Sequence, residues 1–141
     1  MRARERAIQE IIDWLAAGKE RLHLKCLKYD PLAPVRADML NAIHIHCTTD
    51  KTVKQANRGP YGFPRVQEAS LVFECWLKKD CNYVEFYEHW LWIMCNGQFK
   101  NRFTNLILEE KVGPFDGGVE GAFVLQLHAK LRYVDDGFVK N

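Results

Sequence analysis

Two histidines, His44 and His46, stand two residues apart in the run Ala42-Ile-His-Ile-His-Cys-Thr-Thr49. On an extended strand that spacing puts both imidazoles on one face with Cα atoms about 6.5–7 Å apart, within reach of one metal ion. A metal-binding barrel that opens its site on such a pair continues with a Glu four or five residues on, where this chain has Asp50 and Lys51. His128, on the polar side of a later alternating run, is the one attractive third ligand. Histidines at alternating positions are also commonly the solvated side of a half-buried strand, so the pair alone assigns no metal.

The other reactive side chains are less organised. Cys81 lies between Asp80 and Asn82, just before an expected helix. A helix N-terminus would stabilise its thiolate, although a loop cysteine beside a cap accounts for it equally. Five cysteines (Cys26, Cys47, Cys75, Cys81 and Cys95) include no pair with the two-residue separation of a zinc knuckle or redox dithiol. They are expected to be reduced, buried, structural thiols in a cytosolic protein. Glu109 and Glu110 are neighbours on an expected strand and face opposite ways, which argues against a catalytic dyad. No glycine loop of the phosphate-binding type is present. No catalytic residue is assigned.

The elements that must hold these residues follow from periodicity. Ile8, Ile11, Ile12 and Leu15 form one helical stripe, and Gly18 ends a helix over roughly residues 3–17. Leu22, Leu24 and Cys26 alternate with His23 and Lys25 as a short strand. The run 42–49 is a second strand, with Ile43, Ile45 and Cys47 inward and His44, His46 and Thr48 outward. Residues 66–78 make a third strand. Asn82 and Glu85 are a capping pair for a helix ending before Gly97, whose apolar face runs from Tyr83 through Phe86, Trp90, Ile93 and Met94. A strand over 105–112, a turn at Pro114–Gly118 and a final strand complete the chain. In that last strand Phe123, Leu125, Leu127, Ala129, Leu131 and Tyr133 alternate with polar residues, which sets its register firmly. The expected fold is α+β, a mainly antiparallel sheet of about five strands with two amphipathic helices packed on it, in one domain over residues 1–141.

Composition narrows the function. Of 141 residues, 48% are hydrophobic and 27% charged, ordinary for a globular chain, and 12% are aromatic, enough to fill a core and leave aromatic surface for a partner. A formal charge of +2 disfavours a nucleic-acid binder with a generally basic surface. No run is long and apolar enough for a membrane span, and Gln9, Glu10 and Asp13 interrupt what could have been a signal-peptide core. Residues 50–65 read as an extended basic loop between strands, with Lys51, Lys54, Arg58 and Arg65 and the aromatics Tyr61 and Phe63. These six are candidate interface residues, because arginine and aromatics are enriched at protein contacts. The same loop is the basis for a nucleic-acid-binding accessory reading.

The whole pattern resembles the tail terminator, or tail completion, proteins of long-tailed bacteriophages of the lambda-like type. The likeness covers roughly residues 3–134 and rests on Ala7–Leu15, Ala69–Leu77, Tyr83–Met94 and Ala122–Tyr133. It implies a non-enzymatic virion protein without cofactors, assembled in the host cytoplasm. Such a protein forms a homomeric ring, usually a hexamer, that caps the tail tube, stops its elongation and joins the tail to the head. The partners implied are further copies of itself, the tail tube protein and the head-tail connector protein, with no membrane and no sequence-specific nucleic acid. The alternative is a small metal- or ligand-binding enzyme built on the His44/His46 strand face.

Overall fold

A computed structural model describes residues 2–55 and 64–135. Two helices, α1 (Ala3–Ala17) and α2 (Tyr83–Asn96), accompany five strands: β1 (Cys26–Tyr29), β2 (Ala42–Gln55), β3 (Arg65–Lys78), β4 (Asn105–Asp116) and β5 (Ala122–Asp135). The strands form one sheet in the order β1-β2-β3-β5-β4. All pairings are antiparallel except β1 with β2, which is parallel, so the fold is α+β with a mixed, mostly antiparallel sheet. Among the described residues, no helix is long and apolar enough to cross a membrane.

The helices start and stop where local chemistry dictates. Asn82 caps α2, its side-chain oxygen accepting a hydrogen bond from the Glu85 N–H at 3.2 Å. Gly18 ends α1 and Gly97 ends α2, and each lies against a side chain of the other helix. A Cβ at Gly18 would come within 2.4 Å of Ile93 Cδ1, and one at Gly97 within 2.4 Å of the Trp14 ring. At Gly97 the rigid indole leaves room only for hydrogen, whereas at Gly18 a side chain would displace the end of Ile93.

Both helices cover the same face of the sheet. Ile8, Ile11 and Leu15 of α1 and Phe86, Trp90, Ile93 and Met94 of α2 join Ile43, Ile45, Leu71, Phe73, Leu77, Leu125, Leu127 and Leu131 in one core. Full burial of each such side chain is worth about 1.5–3 kcal/mol. Trp90 meets Phe73 edge-to-face, with ring centroids 5.2 Å apart. At the far end of this face Asp50 accepts hydrogen bonds from Arg4, Gln67 and Tyr133, tying the first turn of α1 to three strands.

The other face is open except at one end. The connection from β1 to β2 must cross over because those strands are parallel. It brings Val35 and Leu40 against Ala42, Trp76 and Val119 in a second, small cluster. Asn41 closes that end. Its carbonyl accepts from the Lys25 N–H at 2.8 Å, and its side chain accepts from the Lys78 N–H at 2.9 Å and donates to the Leu22 carbonyl at 3.4 Å.

Four sequence expectations need correction. β1 begins at Cys26; Leu22 is buried in a turn, and His23 has a positive φ of 50°. β2 does not end at Thr49 but runs to Gln55, and β3 starts at Arg65, so 50–65 is not one extended loop. Register shifts between Cys47 and Thr49 and between Thr52 and Lys54 insert extra residues there. Two bulges scramble the period-2 signal by which a strand is read. β4 continues past Pro114 to Asp116, which an edge strand tolerates because the missing N–H removes no ladder bond. Of the five cysteines, expected to be buried, only Cys75 is; Cys26, Cys47 and Cys81 are half-buried and Cys95 is exposed on the solvent side of α2.

Trp90→Ala should lower unfolding stability by about 3–5 kcal/mol, read from urea midpoints followed by far-UV circular dichroism.

Candidate functional site

The open face of the sheet gathers most of the polar side chains singled out above. On β3 the residues Glu68, Ser70, Val72, Glu74 and Trp76 point to it, since Leu71, Phe73, Cys75 and Leu77 fill the core on the other side. Registers then fix their neighbours. His44 lies opposite Glu74, which lies opposite Gln126, while His46 lies opposite Val72, which lies opposite His128.

At the crossover end stands a histidine cluster. His44 is 3% exposed, although the alternation had placed it on a solvated face; the residues packed on neighbouring Ala42 and Trp76 shield this end. Burial pushes its pKa below the ordinary imidazole value, against a smaller opposing pull from Glu74, and favours the neutral ring. Among the described residues its Nε2 has no hydrogen-bond partner. His46 is half-buried, with Nε2 3.9 Å from Glu74 Oε1 and Nδ1 3.8 Å from Asp30. Trp76 Nε1 donates to Glu74 Oε1 at 2.9 Å. One donor atom from each of His44, His46 and Glu74 falls within 4.8 Å of the other two. His128, the third ligand considered from the sequence, belongs one strand further across and is not in this group. Glu74 takes its place. Only strand register could have identified it, because nothing local to Glu74 marks it out.

Toward the other end the face is basic. Glu68, whose side chain is 10% exposed, accepts from Arg132 Nε at 2.8 Å and lies 3.9 Å from Lys51 Nζ and 4.0 Å from Lys130 Nζ. The Arg132 hydrogen bond, aided by the charges of Arg132, Lys51 and Lys130, holds its carboxyl below the usual carboxylate range in spite of desolvation. Lys54 is exposed on the same side, opposite Val66. Of the six candidate interface residues, Lys51 and Lys54 therefore share this patch. Arg65 pairs with Gln55 and belongs to the opposite side of the sheet. Arg58, Tyr61 and Phe63 lie outside the described residues. Lys130 and Arg132, which the sequence reading had not included, complete the patch; the polar half of the β5 alternation was their signal.

Beside these residues, the β4 edge carries exposed apolar groups. Ile107, Val112 and Phe115 are each about two-fifths exposed. They lie opposite Lys130, Gln126 and Val124 of β5, all on the open face. Cys81, by contrast, has no activated-thiol character. Burial pushes its pKa up, with a smaller opposing effect from the Asn41 amide.

No protein-family model matches the chain, and no curated protein sequence matches it significantly.

Because the folded-state pKa of Glu68 is depressed, its ion-pair contribution to stability is complete above the unfolded carboxylate pKa of about 4.3 and is lost as pH falls through the folded value. Glu68→Gln should therefore be less stable than the wild type near neutrality and converge on it in acid. Urea midpoints of both proteins at several pH values between about 3 and 7 read this directly.

Proposed function

We propose that this protein is a structural virion subunit, a phage tail terminator that caps the tail tube as a homomeric ring, most simply a hexamer, stops tube elongation and joins the tail to the head. In this reading it is not an enzyme, it acts without a cofactor, and its partners are its own copies, the tail tube protein and the head-tail connector. It would be assembled in the host cytoplasm and end in the virion tail.

One observation carries the reading. The sheet ends in a twelve-residue edge strand whose open face shows Ile107, Val112 and Phe115, next to a basic patch. A long edge with exposed apolar groups is normally a liability and is kept only where something covers it. The register shifts after Leu108 and Val112 interrupt the edge, which discourages open-ended strand addition and favours a side-chain contact of fixed geometry. Glu109 and Glu110 on the same strand offer charges opposite to those of Lys51, Lys54, Lys130 and Arg132. A basic hairpin stem on one subunit meeting the β4 edge of the next is a heterologous contact, and such a contact repeated until the rotation closes makes a ring. The element order, with both helices on one face and a long β2–β3 hairpin, fits the same assembly.

The test is association. The wild type should sediment as a closed oligomer of fixed mass and show rings by electron microscopy. Ile107→Lys combined with Val112→Lys should shift it to monomer while its circular dichroism stays unchanged. A chain that stays monomeric at every concentration, with or without tube protein, would sink the reading.

A further inference from the structure

The geometry points to a divalent transition-metal site of the zinc class, with His44, His46 and Glu74 as its three protein ligands. This site stands on observations separate from the ring reading, and neither depends on the other.

The donor set is the first argument. Two imidazoles and one carboxylate are ligands that zinc takes readily, and three such ligands leave one coordination position for water or another group. Spacing is the second. The three donors lie within 4.8 Å of one another, and His46 Nε2 to Glu74 Oε1 is 3.9 Å. That is too long for a hydrogen bond. It is close to the roughly 3.3 Å that separates two ligands of a tetrahedral ion with bonds of about 2.0–2.1 Å, and small side-chain rotations close the difference.

The third argument is an unmet polar atom. A histidine as buried as His44, with Nε2 lacking a partner among the described residues, is costly unless something completes it. Its ring sits beside His46, with centroids 6.4 Å apart. Hydrogen bonding beyond the ligands is the fourth. Trp76 Nε1 donates to Glu74 Oε1 at 2.9 Å, while the Asp30 carboxylate, 3.8 Å from His46 Nδ1 and so beyond hydrogen-bond reach, adds only a nearby charge on that side. Outer partners of this kind orient ligands at metal sites. An ion here would clamp β2 to β3.

The experiment uses the full chain, stripped with chelator and titrated with Zn²⁺ and with Co²⁺. The wild type should take up one ion per chain, gain thermal stability with Zn²⁺, and show with Co²⁺ the visible absorption of a four- or five-coordinate nitrogen and oxygen site. His46→Ala and the isosteric Glu74→Gln should each weaken binding at least about 100-fold and abolish the thermal shift. Glu74→Gln keeps the shape of the side chain, so its circular dichroism should match the wild type even if His46→Ala folds poorly. Absence of saturable binding, binding unchanged in Glu74→Gln, or thiolate-to-cobalt charge-transfer bands would each overturn the site.

Discussion

Everything in this molecule hangs on the register of β3. It is the central strand, paired with β5 from Arg65 opposite Asp135 to Lys78 opposite Ala122 without a single shift. A slip by one residue would bring Val72, Glu74 and Trp76 to the core and send Leu71, Phe73, Cys75 and Leu77 to the open face. The core cluster admits no such exchange, since Phe73 and Leu77 are fully buried beneath α1 and α2. Once β3 is placed, Glu74 has to stand opposite His44, and Glu68 has to stand opposite Arg132.

The two faces of the sheet obey different physics. On the helix side, dense apolar packing and the Asp50 node hold α1 and α2 in place; Tyr133, buried there, has its phenol pushed upward by desolvation and by its hydrogen bond to Asp50. On the open side several polar groups pair across strands, as with Thr49 donating to Ser70 at 2.8 Å and Lys130 donating to the same hydroxyl at 2.9 Å. The crossover before β2 is the exception, because it imports apolar residues onto the polar face. It thereby dries one end of that face, and the desolvation of His44 follows from it.

Much of the fold could be read from sequence where one physical rule acted alone. The α1 stripe, the Asn82 cap and the β5 alternation are local signals, and their elements appear at the expected residues. Reading failed where two rules competed. The far half of β2 has strand pairing but broken alternation, β4 carries a proline that its edge position excuses, and Leu22 is apolar and alternating yet sits in a turn. The candidate site divides in the same way. His44 and His46 announce themselves by spacing, whereas Glu74, Lys130 and Arg132 join their neighbours only through pairing partners more than twenty residues away. The assembly reading came from element order, a property of the whole chain that no single motif carries.

The two bulges of β2 have a joint consequence. The first, at Thr48, turns the strand over, so that Thr49 and Lys51 lie on the side that His44 and His46 occupied before it. The second, at Val53, turns it back, and Lys54 again shares the parity of His44. They act as two half-turns of a lock that cancel. Loss of either extra residue, Thr48 or Val53, would leave every residue beyond it opposite the same β3 partner and therefore on the same face, because each bulge sets two residues against one. Single residues can therefore be gained or lost at these two points without exchanging the sides of the strand, whereas a residue gained or lost in its regular stretches exchanges them unless a new bulge absorbs it.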